Sequence, residues 1–558
     1  MLSRTLPFVA VFAGCAWITS TGPFCSRPDQ SHVEGSTVST PGVWVPDKGD
    51  GTFSNPVLYA DYSDPDAIRV GDDFYLTASS FNSAPGLPIL HSKDLVNWRI
   101  IGHALQAVPP TDSYRVPQYG KGVWAPAIRF HNGEYWIYYG DPDYGIFLVK
   151  AKRPEGPWDP PILVRKAKGW IDPCPFWDSD GSAYMVHAWA KSRAGFNSVL
   201  TINRMNSEGT AILDEGVMVF DGRRSQPTIE GPKLYSRDGY YYIFAPAGGV
   251  KPGWQTVLRA KDIYGPYEDR IVMDQGRTAV NGPHQGAWVE LASGESWFLH
   301  FQKKEPYGRI VHLQPLRWEG GWPVIGNDPD GDGKGEPVLH YRKPIVGAKV
   351  VIEIPQTSDE FDNGSPDLQW QWSANPSAEW IHPAANKGML RMSAVPLPSG
   401  SQNLRDAPNL LLQKLCGSSF SALVRLMPVF SDENAEGGLV VMGMQYAALM
   451  LKKRGEVCVL SQVVCPAAEE RGKEIEDGSV ELRMPDVILR VDVTDSALCS
   501  FSWSTDGKTF IVIGRPFVAM PEAWTGAKVG LFCTLPIGKQ MTEDDFIDVD
   551  WFRIETLK

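Results

Sequence analysis

Cysteine is scarce in this chain of 558 residues, which contains eight, and none of them forms a Cys-x-x-Cys pair. The sequence therefore predicts neither a disulfide-built scaffold nor a cysteine-ligated metal cluster. Cys174 stands alone in the first half, and five cysteines fall in the C-terminal part. We predict that most are small buried apolar residues, with one disulfide as the alternative if the chain is exported.

A surplus of positive charge is also absent, because the formal net charge is −12. Nucleic acid is excluded as a partner on this ground, since phosphate binding needs a basic face. Apolar residues at the spacing of an amphipathic helix are missing as well. The sequence instead contains short aromatic and β-branched runs, typical of strands, between Asn-Gly and Asp-Gly turns. Aromatic residues are plentiful, with 20 Trp, and their flat faces suit the apolar faces of sugar rings.

The first 51 residues are interpreted as a signal segment followed by a flexible tether. Arg4 precedes an apolar run from Leu6 to Ala13, which is too short to span a membrane as a helix. Phe12-Ala13-Gly14-Cys15 is close to a bacterial lipobox, so either Cys15 carries a lipid anchor or the segment is an ordinary secretory signal. We therefore expect export, with the protein secreted, periplasmic or lipid-anchored. Ser, Thr, Pro and Gly dominate up to Gly51, as in flexible linkers.

One pattern occurs five times between residues 52 and 340. A polar or small residue, usually followed by Pro, precedes an apolar strand, then a turn and an aromatic strand. The copies start roughly 48 to 60 residues apart, a spacing typical of propeller blades. They are Asp64-Pro65 to Phe74-Tyr75, Trp124-Ala125-Pro126 to Tyr135-Trp136, Asp172-Pro173 to Tyr184, Glu230-Gly231-Pro232 to Tyr240-Tyr241-Tyr242, and His284-Gln285-Gly286 to Trp297-Phe298.

Three of these five starts are carboxylates, namely Asp64, Asp172 and Glu230. In a propeller the innermost strand of every blade lines one central channel, so equivalent positions converge. Each residue taken alone is better explained as a turn or loop residue. Their shared position in the repeat predicts a single pocket with three acids.

The remaining sequence predicts a second all-β region. Residues 341–356 read as a connecting strand and linker. Residues 357–558 contain further strand patterns but no five-fold repeat, and two packed sheets are the simplest architecture for their length. The predicted fold is therefore all-β, with a five-bladed propeller at 52–340 followed by a β-sandwich.

The repeat starts resemble glycoside hydrolase family 43. The resemblance rests on Tyr62-Ser63-Asp64-Pro65-Asp66, on the strand and turn at His91 to Trp98, and on Trp124-Ala125-Pro126, Ile171-Asp172-Pro173 and Ile229-Glu230-Gly231-Pro232. His284 and Gly308-Arg309 match the axial His and pocket Arg of that family. The C-terminal part resembles the concanavalin-like β-sandwich that some members carry.

The resemblance implies an inverting glycoside hydrolase that removes arabinofuranosyl or xylosyl units from hemicellulose or pectin side-chain oligosaccharides. Asp64 would be the general base and Glu230 the general acid, because inversion needs one ionised and one protonated carboxyl. Asp172 would be the modulator that raises the pKa of Glu230 by like-charge repulsion. No cofactor is required for this chemistry.

Four further residues are candidate substrate contacts. His284 should face the axis, where it either bonds Asp64 or holds a hydrated cation; a buried core His is the alternative. Arg309 either contacts substrate or forms a structural ion pair. Trp124 and Phe81 either line the sugar pocket or belong to the propeller core.

Asn327 to Gly333 resembles the first half of a calcium loop, with Asp at alternate positions and then Gly. The position of the bidentate Glu is occupied by Leu339, and Glu336 is the nearest substitute. Calcium as a structural ion and a solvated acidic turn both stay open.

The rival function for the whole chain is a non-catalytic carbohydrate-binding surface protein. Such a protein would need the aromatic residues but not three carboxylates at equivalent positions. A retaining glycosidase or a polysaccharide lyase on the same fold is a third alternative.

Overall fold

A computed structural model describes residues 42–347, 350–384, 388–483 and 486–557. The fold is all-β, as predicted. Within the described ranges the helical segments are short: α1 (Lys191–Ala194) and 3₁₀ turns at Thr111–Tyr114, Ala378–Trp380 and Leu404–Asp406. None of these helices is long and apolar enough to cross a membrane.

Five four-stranded antiparallel sheets follow one another along the first half of the chain, one for each predicted repeat. Strands are numbered in chain order after β1 (Thr52–Ser54). Blade 1 is β2 to β5 (Asp66–Val70, Asp73–Thr77, Gly86–Ser92, Trp98–Leu105), and blade 2 is β6 to β9 (Ala127–His131, Glu134–Asp141, Gly145–Ala151, Ile162–Lys166). Blade 3 is β10 to β13 (Trp170–Trp177, Ala183–Trp189, Val199–Met205, Val217–Asp221), blade 4 is β14 to β17 (Lys233–Arg237, Tyr240–Ala247, Trp254–Ala260, Glu268–Met273), and blade 5 is β18 to β21 (His284–Glu290, Ser296–Lys303, Arg309–Glu319, Trp322–Ile325).

The first strand of each blade lies innermost. β2 contacts β6 and β18, and β10 contacts β6 and β14, so these strands surround a common axis. Apolar side chains of neighbouring blades pack against each other between the sheets, as Ala67 and Leu76 of blade 1 do with Ala287 and Leu299 of blade 5. Because each inner strand follows its repeat start directly, the starts gather at one end of the channel.

The propeller closes without exchanging a strand between its first and last blades. The segment before blade 1 instead attaches to blade 5 and to the chain that follows it. β1 pairs with β22 (His340–Arg342), and Leu58 forms a bridge with Val311. The side chain of Asn55 donates to the carbonyls of Leu313 and Val338 at 2.8 Å each.

The C-terminal half is a sandwich of two sheets with eight strands each. One sheet has the order β23-β27-β37-β29-β30-β31-β32, with β26 beside β37; the other has the order β24-β25-β38-β28-β33-β34-β35, with β36 beside β34. A continuous apolar core lies between them. The strands are β23 (Gln371–Trp372), β24 (Ile381–Pro383), β25 (Leu390–Ser393), β26 (Val395–Pro396), β27 (Leu411–Lys414), β28 (Phe420–Val429), β29 (Glu436–Met442), β30 (Tyr446–Arg454), β31 (Val457–Cys465), β32 (Ile475–Leu482), β33 (Val487–Val493), β34 (Leu498–Ser504), β35 (Ile511–Val512), β36 (Phe517–Val518), β37 (Lys528–Leu535) and β38 (Phe546–Glu555).

The sandwich is hydrogen-bonded to the propeller. Ala84 and Trp372 exchange backbone hydrogen bonds. The Asn375 side chain accepts from the Val108 N–H at 2.7 Å and donates to the carbonyls of Val108 and Thr111. Tyr307 Oη donates to backbone carbonyls of the sandwich. These bonds fix which sandwich loop faces the open end of the channel.

All six cysteines in the described ranges are free thiols, so the alternative of a disulfide among them is wrong. Four of the six are buried, as the sequence predicts. The predicted signal segment, Cys15, Cys25 and the tether up to residue 41 lie outside the described residues.

Candidate active site

The structure brings Asp64, Asp172 and Glu230 to one cavity at the end of the channel. This cavity is open to solvent and spans about 440 Å³, including the solvent-filled space at its mouth. Ten of its eleven lining residues come from the propeller and one from the sandwich. They are Asp64, Phe81, Trp124, Ala125, Ile171, Asp172, Glu230, Val250, Gln285, Arg309 and Trp524.

Bulges in two inner strands turn side chains toward this cavity. The pairing of β10 with β11 shifts between Ile171 and Cys174, where Asp172 lies. The pairing of β18 with β19 shifts between His284 and Gly286, where Gln285 lies. An extra residue in a strand re-aims its side chain, which explains why both residues face the pocket.

Several lining residues adopt left-handed backbone conformations. The φ angles are 52° at Asp64, 56° at Asp172, 51° at Phe81 and 36° at Gln285. Such angles are uncommon for residues other than glycine and cluster at functional sites, where the surrounding fold holds them. Asp64 therefore marks a sharp turn just before inner strand β2, and Asp172 marks a bend at the bulge within inner strand β10.

Asp64 is held by a cation and a hydroxyl. Arg309 Nη1 lies 2.5 Å from Asp64 Oδ1, and Ser79 Oγ donates to Asp64 Oδ2 at 2.6 Å. Both side chains of the ion pair are nearly buried, with 8% and 7% of their surface exposed. A guanidinium pairs with a carboxylate, so this geometry suits an ionised Asp64 with a fixed orientation.

Glu230 has the opposite surroundings. Its side chain is 31% exposed toward the cavity, and no hydrogen bond or Lys or Arg partner holds its carboxyl group among the described residues. Enclosure in the protein raises the pKa of Glu230, and the nearby charge of Asp172 raises it further. Burial likewise raises the pKa of Asp172, and the charge of Asp64 adds to this effect. A protonated Glu230 beside an ionised Asp64 is therefore the favoured arrangement.

Gly231 explains the Glu-Gly-Pro motif. Its N–H donates to Asp172 Oδ2 at 2.7 Å, which links the third and fourth blades. Its φ angle is 59°, and a Cβ atom there would lie 2.7 Å from the side chain of Gln285. A larger residue would therefore strain the backbone at this position and push the Gln285 side chain aside.

His284 is fully buried and its Nε2 lies 3.5 Å from Glu230 Oε1. The alternative in which His284 bonds Asp64 is wrong, because neither ring nitrogen has a hydrogen-bond partner among the described residues and Asp64 is held by Arg309 and Ser79. The alternative of a hydrated cation beside His284 stays a prediction. Burial lowers the pKa of His284 to about 3, and Arg309 lowers it further, so the ring is neutral. It lies behind Glu230 and is not part of the cavity wall.

Aromatic side chains form one side of the cavity, and one of them comes from the sandwich. The ring of Trp124 lies 6.5 Å from that of Phe81 and 6.1 Å from that of Trp524. The Arg309 guanidinium lies 5.9 Å from the ring centre of Trp524. Sequence reasoning missed Trp524, because no repeat or motif links residue 524 to the propeller.

The loop that carries Trp524 is fixed to the propeller. It connects β36 to β37, and its Gly526 N–H donates to Asp61 Oδ2 at 3.0 Å. Asp61 also accepts from the N–H of Arg309 at 2.8 Å. The same carboxylate therefore positions the sandwich loop and the arginine that pairs with Asp64.

The acidic turn after blade 5 is separate from this cavity. Asp328, Asp330 and Asp332 each offer one oxygen atom, and these atoms lie within 4.8 Å of one another. Asp328 already accepts from the N–H groups of Gly331 and Gly333. Calcium binding here stays a prediction.

Comparisons with known proteins agree with this architecture. Residues 53–323 match the model of glycosyl hydrolases family 43, and residues 358–555 match the β-xylosidase C-terminal concanavalin A-like domain. A β-xylosidase of Formosa agariphila is 32% identical over 605 aligned positions, which cover 98% of this chain and 97% of that protein. A non-reducing end α-L-arabinofuranosidase of Bacteroides ovatus is 28% identical, with 91% of this chain and 95% of that protein covered.

A solved structure is similar over the same length. The GH43 BlXynB protein from Bacillus licheniformis has a TM-score of 0.77 and 27% identity, with 91% of this chain and 100% of that chain covered. Both halves of the molecule are therefore shared with known enzymes. The chain belongs to glycosyl hydrolases family 43, carries the concanavalin A-like domain of β-xylosidases, and is a glycoside hydrolase of the β-xylosidase/α-L-arabinofuranosidase type.

Proposed function

We propose that this enzyme removes single xylosyl units from the non-reducing ends of hemicellulose-derived oligosaccharides, with inversion at the anomeric carbon. The observation that carries the proposal is the unequal environment of the two principal carboxyls. Asp64 is paired with Arg309, whereas Glu230 has a raised pKa and no Lys or Arg partner among the described residues. Inversion needs this division between an ionised base and a protonated acid.

In the proposed reaction Asp64 takes a proton from a water molecule, whose oxygen attacks the anomeric carbon. The glycosidic bond breaks at the same time, and its oxygen receives the proton of Glu230. Asp172 in its ionised form keeps Glu230 protonated toward neutral pH. The water requires the two reacting carboxyls to be about 6.5–9.5 Å apart.

Release of single units is supported by the position of Trp524. The sandwich loop adjoins the cavity beside Trp124 and Arg309 and is fixed to Asp61. A wall of this kind leaves room for the terminal sugar but obstructs the continuation of a chain in that direction. His284 supports Glu230 from behind rather than contacting substrate.

We propose xylose as the released sugar because the C-terminal domain matches that of β-xylosidases and a β-xylosidase aligns over nearly the whole chain. Removal of α-L-arabinofuranosyl units is the second candidate, because an enzyme with that name also aligns over most of the chain. Pectin side chains become a substrate only in this second case.

The identity of the sugar is tested by comparing kcat/KM for an aryl β-D-xyloside and an aryl α-L-arabinofuranoside. We expect the xyloside to be hydrolysed faster; a preference for the arabinofuranoside would establish the second candidate. Xylobiose and arabinoxylan then separate exo-xylosidase activity from side-chain removal.

The stereochemistry is tested by proton NMR of the first sugar released from a β-xyloside. We expect α-xylose as the initial product, followed by mutarotation. If β-xylose forms first, the single-displacement mechanism is wrong.

We also propose that the protein is exported, on the basis of Arg4, the apolar run to Ala13 and Cys15. Fractionation of cells that produce the wild type and a Cys15→Ser variant tests this proposal. Membrane association that disappears in the variant indicates a lipid anchor, and soluble exported protein in both cases indicates an ordinary signal. Retention of both proteins in the cytoplasm would contradict export.

A further inference from the structure

Two charged residues, Asp66 and Lys233, are fully buried at the beginnings of inner strands, just after carboxyls of the cavity. Asp66 begins β2 two residues after Asp64, and Lys233 begins β14 three residues after Glu230. Neither residue has exposed surface.

The Asp66 carboxylate contacts two cations. Its Oδ2 accepts from the Ile128 N–H at 2.8 Å and from Arg129 Nη1 at 2.7 Å, and Lys233 Nζ lies 4.0 Å away. Its Oδ1 has no hydrogen-bond partner. One carboxylate is therefore shared by two cations.

Lys233 is the less satisfied of the two cations. Its ammonium group is completely buried and donates to the Pro126 carbonyl at 2.7 Å, while Asp66 is at the limit of an ion pair. Arg129 is better satisfied, because its Nη2 also donates to Cys174 Sγ at 2.8 Å and its guanidinium faces the ring of Tyr235. A buried lysine with so little local compensation is costly unless another anion is close.

The active-site cavity supplies that anion. Its three carboxyls, Asp64, Asp172 and Glu230, adjoin one guanidinium, that of Arg309, which is paired with Asp64. Asp172 accepts a single hydrogen bond, from Gly231, and Lys233 follows Gly231 two residues later along the chain. Among the described residues Asp172 therefore has no direct cationic partner, and Lys233 has only an incomplete anionic one.

We propose that Lys233 is a positioning residue of the reaction, and that its buried ammonium group compensates the negative charge of Asp172, the carboxyl that holds the proton on Glu230. The chain's own order supports this link, because Lys233 follows Glu230-Gly231-Pro232 and Gly231 bonds Asp172. The charge of Lys233 lowers the pKa of Asp172 against the effect of burial. The inference rests on the proposed role of Asp172.

The test is the pH dependence of kcat/KM for three variants of the full-length enzyme. In Lys233→Met the acidic limb should move to higher pH by about one unit, because Asp172 loses a stabilising positive charge and is protonated earlier. In Asp66→Asn the acidic limb should move to lower pH. Lys233 then has no carboxylate beside it, so its positive charge stabilises the ionised form of Asp172 more strongly. The double variant removes one charge of each sign, so its limb should return close to that of the wild type.

A purely structural role predicts a different outcome. Both single variants would lose activity without a shift of the acidic limb, or with shifts in the same direction, and either result would overturn the proposal. Lys233→Arg serves as the charge-preserving control and should leave the limb in place. If Lys233→Met does not fold, as judged by near-ultraviolet circular dichroism, the near-isosteric Asp66→Asn variant decides through the direction of its shift.

Failure of this inference is distinguishable from failure of the proposed function. If Glu230 and Asp64 do not have the proposed roles, substrates with good and poor leaving groups respond alike to substitution of Glu230, whatever Lys233 does. If only the role of Lys233 is wrong, the leaving-group result holds and the acidic limb of Lys233→Met stays in place.

Discussion

The propeller and the sandwich contribute to the candidate active site in different ways. Five repeated units supply ten cavity residues, most of them at or beside the repeat starts, which symmetry makes converge. The sandwich contributes one side chain, Trp524, through one loop. The comparison teaches that the reactive groups belong to the repeated architecture, whereas the appended domain shapes the entrance.

The largest effects should come from substitutions in the propeller. Asp64→Ala should reduce kcat/KM by roughly 10³–10⁴-fold on every substrate, because water activation is always required. Glu230→Ala should cause a similar loss on xylobiose but a much smaller one on dinitrophenyl xyloside, whose leaving group needs little protonation. Steady-state kinetics with both substrates measure the difference. Equal losses for both substrates in the Glu230 variant would remove it from the acid role.

Asp172→Asn should have the next largest effect, a loss of about 10²-fold in kcat/KM. The amide still accepts the Gly231 hydrogen bond but no longer repels a charge on Glu230. The pKa of Glu230 should therefore fall, and the alkaline limb of the pH–rate profile should move to lower pH. Asp180→Asn, on the exposed turn of the same blade, is the matched control. An alkaline limb that stays in place while activity falls would contradict the electrostatic role.

Trp524→Ala tests the contribution of the sandwich. We expect KM to rise about tenfold with a smaller change in kcat, because a lost apolar contact with the sugar costs roughly 1–3 kcal/mol. Stability should hardly change, since Trp524 is 48% exposed. Trp551→Ala, at another partly exposed tryptophan of the sandwich, is the control. A loss confined to kcat would place Trp524 among the residues that act on the transition state.

Asn375→Ala should have the smallest effect on activity and a clear effect on stability. Its side chain makes three hydrogen bonds to the propeller from a buried position. Their loss should lower the free energy of unfolding by about 1–3 kcal/mol, because propeller groups become unsatisfied. Urea unfolding measures this, with the exposed Asn434→Ala as control. An unchanged free energy of unfolding would mean that these bonds do not stabilise the attachment of the sandwich to the propeller.

Much of the propeller side of the site was predictable from the sequence, and most of the sandwich side was not. Asp64, Asp172 and Glu230 were found because each opens a repeat, and a repeat position has the same place in every blade. His284 occupies an equivalent start, yet the bulge at Gln285 turns the neighbouring residue to the cavity and leaves the histidine behind Glu230. No local sequence pattern at these residues predicts such a bulge.

The sequence by itself determined the all-β class, the number of blades and the convergence of three acids. Strand and turn signals are local, and equivalent positions of a repeat occupy equivalent places in every blade. Only the tertiary structure decided that Arg309 pairs with Asp64, that Lys233 is buried beside Asp66, and that Trp524 completes the cavity wall. These pairings join residues up to several hundred positions apart. Their geometry depends on how blades and sheets pack, which no local pattern encodes.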